Sequence, residues 1–261
     1  MKKGIIIIPS KGRPYKQKTV RWLLECKLVN HDWKVLVEPN ELLYYKQTVG
    51  EDNCLVLRKN NMGLGYSLNF GNEYAKDKGY EYQFHLDDDI NGFLDSRVKM
   101  KYRVEVFEDI DKNIQKYFDE EPELGLIRFI SARGYYFYKN KNLDFIMKNQ
   151  GAWGVLITRV NSFHVDENWY AYQDTLLQLH LWKNGYYTKT YGKAGINVEV
   201  YGNAGGMQMR DRRKDSEDTV RYVQKEYPEV KLIEAKNSLG YDIDISKYKP
   251  KVEYLQQLEE V

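Results

Sequence analysis

Asp87 and Asp89 flank a third acid, Asp88, at the end of an apolar and aromatic run that starts at Tyr80. Three adjacent carboxylates repel one another and suit neither a strand nor a core, so a cation is the simplest partner that would stabilise them. Alternate side chains of an extended segment share a face, so Asp87 and Asp89 reach one ion while Asp88 points elsewhere. Carboxylate oxygens are hard ligands suited to Mg²⁺ or Mn²⁺. The D-x-D spacing predicts a metal site at Asp87 and Asp89, and a solvated acidic turn is the alternative.

A basic loop, Ser10-Lys11-Gly12-Arg13, directly follows the first apolar run of the chain. Its hydroxyl, its flexible glycine and its two cations suit contact with a phosphate or a nucleobase. It is neither a P-loop nor a dinucleotide fingerprint, because the sequence lacks both glycine patterns. The alternative is a solvated turn.

Two further loops contain glycine together with polar side chains. In the segment 60–65, Asn61 and Gly63 precede an expected helix and let backbone N–H groups approach an anionic or polyhydroxylated ligand, although such loops are also plain turns. In the segment 203–214, a Gly-Gly pair precedes Arg210, Arg212 and Arg213. That composition suits a mobile loop that closes over a diphosphate, a grip on DNA phosphates, or merely a solvated basic face.

The first half of the chain alternates strand-like with helix-like runs. We expect strands at 4–9, 33–37, 54–57 and 80–86, with helices at 16–29, 41–48 and 66–78 between them. Repeated β-α-β units imply a parallel sheet with helices on both faces, and ligands bind such sheets beyond the carboxyl ends of the strands. The loops 10–13, 38–41, 58–65 and 87–89 are therefore expected to converge on one cleft.

The pattern becomes mixed after Asp89. We expect helices at 108–118, 169–183 and 216–227, strands at 125–131 and 153–158, and a hairpin with its tip at 139–142. The predicted fold class is α/β, a Rossmann-like, mixed and mostly parallel sheet flanked by helices.

Length and composition indicate one large globular domain. The 261 residues are 42% hydrophobic and 30% charged, and no run approaches the roughly 18 apolar residues needed to span a bilayer. The N-terminal apolar run is four isoleucines before Pro9, which is too short for an export signal, so a cytoplasmic location is expected. Forty basic and 38 acidic residues give a net charge of +2, which does not by itself demand a nucleic-acid partner.

These motifs, in this order, resemble the nucleotide-sugar half of GT-A fold glycosyltransferases over residues 4–90, with a looser resemblance to about 213. More narrowly, Ile8-Pro9-Ser10-Lys11-Gly12-Arg13-Pro14 with the later Gly-Gly and arginine cluster resembles the TET-associated glycosyltransferases of bacteriophages. The resemblance implies a single GT-A-like domain over 1–261. It divides into a nucleotide-sugar-binding half at 1–90, an acceptor half at 91–215 and a C-terminal helical tail at 216–261.

The resemblance also implies an activity. A sugar would pass from a nucleotide-sugar, with a UDP-sugar the first expectation, to the hydroxyl of a 5-hydroxymethylpyrimidine in phage DNA, in the host cytoplasm. Mn²⁺ or Mg²⁺ on Asp87 and Asp89 would bridge the donor diphosphate. Glu38 would lie near the base or ribose, and Asp88 would face the donor sugar or the main chain. The implied nucleotide-sugar-binding set is Ser10, Lys11, Arg13, Glu38, Asn61, Gly63, Asp87, Asp88, Trp153, Arg210, Arg212 and Arg213.

Inverting transfer needs a base that takes the acceptor proton. Asp174, in Tyr172-Gln173-Asp174, resembles the position that supplies this base in many inverting GT-A enzymes. Asp166 and Glu167 are the alternatives for the base. Helix capping is the purely structural alternative for Asp174. Trp153 lies in a small-residue loop like those that border the acceptor and donor sugar, and it is otherwise a core tryptophan.

A late histidine is the third metal ligand in many GT-A enzymes, but all four histidines of this chain precede the Gly-Gly loop. Asn203, water or the donor would then fill that place. His85 is expected to be packed and hydrogen-bonded and not to bind metal.

Three other functions remain open. A glycosyltransferase could act on a saccharide, a lipid-linked or a protein acceptor. A nucleotidyltransferase would be expected to carry a longer glycine-rich loop after the first strand. A pure binding module would have no need for the Asp87 and Asp89 pair.

Overall fold

The computed structural model describes residues 3–25, 32–95, 101–102, 105–131, 145–146, 155–166, 169, 171–198, 212–234, 240–245 and 248. The strands in this part of the chain are β1 Gly4–Pro9, β2 Asp32–Val37, β3 Cys54–Val56, β4 Tyr82–Leu86, β5 Ile90–Asp95, β6 Lys101–Tyr102, β7 Leu124–Ser131, β8 Phe145–Ile146, β9 Val155–Arg159, β10 Tyr187–Val198, β11 Lys231–Glu234 and β12 Tyr241–Asp244. The helices are α1 Lys18–Glu25, α2 Leu42–Val49, α3 Leu64–Asp77, α4 Glu105–Glu120, α5 Gln173–Lys183 and α6 Arg212–Glu226.

The strand β1 lies inside the sheet and is covered on both faces. Its four isoleucines are all fully buried, as expected for a parallel strand with helices on either side. Ile6 and Ile8 belong to the apolar cluster that α1 and α2 complete, while Ile5 and Ile7 belong to the cluster on the α3 side. The sheet and α3 approach closely at Gly71, where a Cβ atom would lie 2.8 Å from Cγ2 of Ile7.

The sheet has two halves. The strands β3, β2, β1 and β4 are parallel neighbours, and β9, β7, β10, β5 and β6 extend the sheet from β4, with β8 paired to β10. Among the described strands of this sheet, β5, β8 and β9 run opposite to all the others. The sheet is therefore mixed and mostly parallel, and the predicted fold class is confirmed.

The helices α5 and α6 cover the second half of the sheet on the α3 side. One apolar cluster joins Leu126 of β7, Leu176 and Leu177 of α5 and Val223 of α6. The antiparallel pair β11 and β12 packs onto α6 through the same cluster, to which Val230 and Ile245 belong. We call α6, β11 and β12 together the C-terminal module.

Most predicted elements are observed with boundaries shifted by a few residues. The largest boundary error that affects a candidate catalytic residue concerns the helix that contains Asp174. This helix was expected at 169–183, but the observed helix α5 begins only at Gln173. Tyr172 adopts a left-handed conformation with φ of 57°, which interrupts any helix that would start earlier. The predicted hairpin around 135–142 and the end of the helix predicted at 16–29 lie outside the described residues. No helix in the described ranges is long and apolar enough to cross a membrane.

Candidate active site

The three acids form the turn between β4 and β5, and the first residues of α1 hold its backbone. The carbonyl oxygen of Asp88 accepts hydrogen bonds from the backbone N–H groups of Lys18 at 3.1 Å and Thr19 at 3.3 Å. The Thr19 hydroxyl donates to the carbonyl oxygen of Asp87 and accepts from the N–H of Ile90 at 3.0 Å. One buried threonine side chain therefore clamps both ends of the acid turn.

The Asp88 carboxylate is turned into the protein. Its Oδ1 atom lies 2.6 Å from Nη1 of Arg13, and its Oδ2 atom accepts a 2.6 Å hydrogen bond from the Ser10 hydroxyl. Because Ser10 has one proton and gives it to Asp88, the neighbouring Tyr45 hydroxyl, 2.8 Å away, must donate to Ser10. Burial raises the pKa of Asp88, while the Ser10 hydrogen bond and the Arg13 charge oppose that change. The Tyr45 hydroxyl also accepts from the N–H of Arg13, and burial raises the pKa of Tyr45 to about 12.

Asp87 is the exposed member of the acid turn. Its side chain is open to solvent, yet it is enclosed by protein and by other acids. That enclosure, followed by the charges of Asp89 and Asp88, raises the pKa of Asp87 to about 7, and Asp174 adds to the effect while Arg13 opposes it. Asp89 is half-buried, with its Oδ2 atom 3.7 Å from Nη1 of Arg13. The shared direction of Asp87 and Asp89 stays a prediction, because Asp88 and Asp89 lie in a turn and Arg13 approaches both of them.

The donor set around Asp87 and Asp89 fits a divalent cation only in part. No group of three or more His, Cys, Asp or Glu side chains is arranged to hold a metal ion within the part of the chain that the structure describes. Two carboxylates fit Mg²⁺ or Mn²⁺, since such ions commonly take their other ligands from water and substrate phosphates. The repulsion that raises the pKa of Asp87 is what a bound cation would relieve.

His85 is a packed residue, as expected from the sequence. Its ring stacks on Phe163 with centroids 4.7 Å apart, and its Nε2 atom lies 3.3 Å from Oγ1 of Thr158. Burial lowers the pKa of His85 to about 3, so the ring is neutral.

The loops after β1, β2 and β3 meet in a second polar cluster. The Lys11 ammonium lies 2.8 Å from Oε1 of Glu38 and 2.5 Å from Oδ1 of Asn61. The same Glu38 oxygen accepts from the N–H of Asn61 at 2.8 Å, and Asn61 adopts a left-handed conformation with φ of 59°. Gly63, with φ of 90°, precedes the first turn of α3, and the N–H of Gly12 donates to Glu41 at 2.9 Å. Lys11, Glu38 and Asn61 therefore form one connected group.

Asp174 lies in the first turn of α5, and its side chain is 34% exposed. Beneath it, the buried guanidinium of Arg128 donates from Nη2 to the main-chain carbonyl of Asp174 at 2.5 Å and lies 4.0 Å from its Oδ2 atom. Burial lowers the pKa of Arg128, and the Asp174 charge opposes that change. The Asp174 charge also raises the pKa of Asp87, after burial and the charges of Asp89 and Asp88.

The structure leaves several candidates undescribed or outside the cleft. Trp153, Glu167 and Arg210 lie outside the described residues, as does the side chain of Arg212, the first residue of α6. The Arg213 side chain is 77% exposed and lies 3.5 Å from Glu217 in the next turn of α6.

Sequence reasoning missed Thr19, Tyr45 and Arg128. A signal existed for Arg128 alone, since it interrupts the apolar run from 126 to 130 with a charge. Thr19 and Tyr45 lie within ordinary helical patterns, and nothing in those patterns distinguishes them from packing residues.

The model of one protein family, the TET-associated glycosyltransferases, matches residues 5–206. The chain belongs to this family. It is accordingly an enzyme, a glycosyltransferase, as the sequence motifs predict. No curated protein sequence matches this TET-associated glycosyltransferase.

Solved structures are similar to this TET-associated glycosyltransferase at very low sequence identity. A mycobacterial protein matches 97% of this chain and 85% of its own, at 9% identity and a TM-score of 0.50. Glucosyl-3-phosphoglycerate synthase from Mycobacterium tuberculosis, in complex with Mg²⁺ and UDP, matches 86% and 79% of the two chains, at 8% identity and a TM-score of 0.48. Mannosyl-3-phosphoglycerate synthase from Rubrobacter xylanophilus matches 93% and 83%, at 10% identity and a TM-score of 0.46. Similarity at this level concerns the fold alone.

Proposed function

We propose that this glycosyltransferase moves a sugar from a nucleoside-diphosphate sugar to a hydroxyl acceptor, with a divalent cation held by Asp87 and Asp89. One observation carries the proposal. In a chain that belongs to a glycosyltransferase family, the acid turn directs Asp88 into the protein and leaves Asp87 exposed just after the carboxyl end of β4. When bound, the cation would take up negative charge on the departing diphosphate.

The group of Lys11, Glu38 and Asn61 is suited to the nucleoside part of the donor. It lies at the carboxyl ends of β1, β2 and β3, where ligands bind parallel sheets. Glu38 is an oriented acceptor because two donors hold its Oε1 atom, and Lys11 brings positive charge to the same place. The backbone N–H groups after Gly63, at the start of α3, suit a phosphate or a sugar hydroxyl.

We assign a structural role at the acid turn, and no direct contact with the donor, to Ser10, Arg13 and Asp88. The sequence predicts that they bind the nucleotide-sugar, but both oxygens of Asp88 contact Ser10 and Arg13. Their contacts support a role in fixing the acid turn so that Asp87 and Asp89 remain directed to the cleft.

Asp174 is suited to accept the proton of the attacking hydroxyl. Its carboxylate is accessible, its charge acts on Asp87, and it belongs to a helix whose first turn is held by Arg128. A base must reach the acceptor oxygen directly or through one water, and the exposure of the Asp174 side chain is compatible with this condition.

The proposed donor is a UDP-sugar and the proposed acceptor a 5-hydroxymethylpyrimidine in DNA. Exposed aromatic and basic residues in the segments that follow β1, β2 and β3 support a nucleic-acid acceptor. Tyr15 is 59% exposed and Tyr44 is 51% exposed, while Lys16 and Lys59 are exposed in the loops after β1 and β3. Aromatic side chains can stack on a base that leaves the duplex to reach such a cleft.

The experiment that tests the proposal is a transfer assay with Mn²⁺, a panel of UDP-sugars, and duplex and single-stranded DNA that contains 5-hydroxymethylcytosine or 5-hydroxymethyluracil. Nucleosides from the digested DNA are read by mass spectrometry, and DNA with unmodified cytosine and thymine is the control. We expect a sugar-sized mass gain on the hydroxymethylated base alone. Metal-dependent UDP release without DNA modification would refute the DNA acceptor and retain donor use, whereas no use of any nucleotide-sugar would refute the proposal.

A further inference from the structure

The C-terminal module contacts the residues that come directly before α5, although it lies beyond the family match at 5–206. The backbone N–H of Ala171 donates to Oγ1 of Thr219 on α6 at 3.3 Å. The Tyr172 hydroxyl lies 2.8 Å from Oγ of Ser216 on α6 and donates to the carbonyl oxygen of Tyr241 on β12. Since a hydroxyl has one proton, Ser216 must be the donor to Tyr172. The Tyr172 hydroxyl therefore joins both parts of the C-terminal module.

Tyr172 is also the residue that decides where α5 begins. Its left-handed backbone, with φ of 57° and ψ of 29°, is uncommon for a residue that has a side chain and persists only where surrounding contacts hold it. No side-chain hydrogen bond caps the N-terminus of α5. The helix start, two residues before Asp174, thus depends on the contacts of Tyr172 more than on an ordinary cap.

The C-terminal module is packed tightly against the residues around the start of α5. Ser216 and Thr219 are buried, and the Thr219 hydroxyl donates to the carbonyl oxygen of Asp215 within α6. The Trp169 ring packs against Tyr222 of α6 with centroids 5.9 Å apart. The helices α5 and α6 also share one buried apolar cluster, so a shift of α6 would move the start of α5.

We infer that the C-terminal module positions the catalytic base, with Tyr172 and Ser216 as positioning residues that act through Asp174. The inference rests on the proposed function, in which Asp174 takes the acceptor proton. The Tyr172 and Ser216 hydroxyls hydrogen-bond within the protein, to each other and to the carbonyl of Tyr241. Together they fix the backbone from which the Asp174 carboxylate extends to the cleft.

The test compares Tyr172→Phe and Ser216→Ala with Tyr74→Phe, a control on α3 that removes a tyrosine hydroxyl elsewhere. We expect both test variants to lower the kcat of sugar transfer to the acceptor by about tenfold. Small displacements of a catalytic group have effects of this order or larger. The donor KM should stay within about twofold of the native value, because the donor contacts are unchanged. The control should retain the native kcat. Ser216→Ala removes a single hydrogen bond and keeps the test informative if Tyr172→Phe is poorly folded.

Asp174→Asn, alone and combined with Tyr172→Phe, separates the inference from the function on which it rests. We expect the combined variant to be no slower than Asp174→Asn alone, because the two changes disable the same group. A native rate for Asp174→Asn would overturn the assignment of the base. A slow Asp174→Asn enzyme with native kcat for both Tyr172→Phe and Ser216→Ala would overturn the positioning role alone. Equal fold losses from Tyr172→Phe with and without Asp174 would also overturn it.

Discussion

At the scale of single residues, the acid turn assigns different tasks to three identical side chains. Ser10 and Arg13 engage Asp88, Arg13 also lies 3.7 Å from Asp89, and Asp87 is exposed. The difference in exposure between Asp87 and Asp88 was predictable, because adjacent side chains of an extended segment diverge. The partners of Asp88 were not, because a sequence places two cations in a loop without showing which acid 75 residues away one of them meets.

The raised pKa of Asp87 predicts how the stability of the metal-free enzyme depends on pH. The pKa of Asp87 is about 7 in the folded chain, above the usual 3.8, so the folded state binds this proton more tightly than the unfolded state. The contribution of Asp87 to stability is therefore full below about pH 4 and is lost as pH rises through about 7. The Asp87→Asn variant cannot ionise at this position, so it lacks this pH-dependent loss of stability.

Thermal unfolding in the presence of EDTA, between pH 5 and pH 8, checks this prediction. We expect the Tm of Asp87→Asn to rise relative to that of the native enzyme as pH rises. In a second series with Mn²⁺ in place of EDTA, this difference in Tm should narrow, because Mn²⁺ stabilises the native enzyme alone. Parallel pH profiles for the two proteins would contradict the assignment of the raised pKa to Asp87.

At the scale of elements, each catalytic candidate depends on a contact between segments that are distant in sequence. The loops after β1 to β4 were predictable, because repeated β-α-β units bring the carboxyl ends of strands together. The start of α5 was not, because the conformation of Tyr172 depends on Ser216 and Tyr241, which local periodicity does not report. Likewise, the local sequence predicts Thr19 only as a helical residue, because its contact with the acid turn is not visible in that sequence.

Thr19→Val tests the clamp between α1 and the acid turn. The substitution keeps the shape of the side chain but leaves the buried N–H of Ile90 and the carbonyl of Asp87 without the hydroxyl. We expect a loss of about 1–3 kcal/mol in the free energy of unfolding, the usual cost of an unsatisfied buried polar group. Urea denaturation measures it.

The matched control is Thr48→Val, because the Thr48 hydroxyl only donates back to the carbonyl of Tyr45 within α2. That change should cost less than about 0.5 kcal/mol. Equal losses in the two variants would show that Thr19 has no special role in holding the acid turn.

At the scale of the whole molecule, the first half of the sheet follows from local pattern and the second half from pairing at long range. The strand β10 pairs with β5 across about a hundred residues of chain, and β9 enters the sheet antiparallel between β4 and β7. In this half the sequence predicted β7 and β9 but not β5 and β10. The order of the strands was not predictable either, because apolar runs of similar length are interchangeable until their partners are known. Net charge gave no indication of an acceptor either, since cations and anions nearly balance.

A DNA acceptor would engage the exposed lysines in the loops after β1 and β3, and the salt dependence of its binding can be measured. Lys16→Ala with Lys59→Ala should weaken DNA binding and make the slope of log affinity against log salt shallower by about two, one for each lost phosphate contact. The control pair, Lys225→Ala with Lys231→Ala, removes two exposed cations from the C-terminal module. Identical salt slopes for both pairs and for the native enzyme would place any DNA contact elsewhere.

The central claim is that Asp87 and Asp89 hold the cation through which the enzyme binds its nucleotide donor. Calorimetric titration with UDP, GDP, CDP, ADP and dTDP, with and without Mn²⁺, tests it most directly when the native enzyme is compared with Asp87→Asn/Asp89→Asn. We predict that one of these diphosphates, UDP first, binds the native enzyme only with Mn²⁺, and that the double variant loses this binding while retaining its thermal unfolding transition. Metal-independent binding of equal affinity in both proteins would contradict the account.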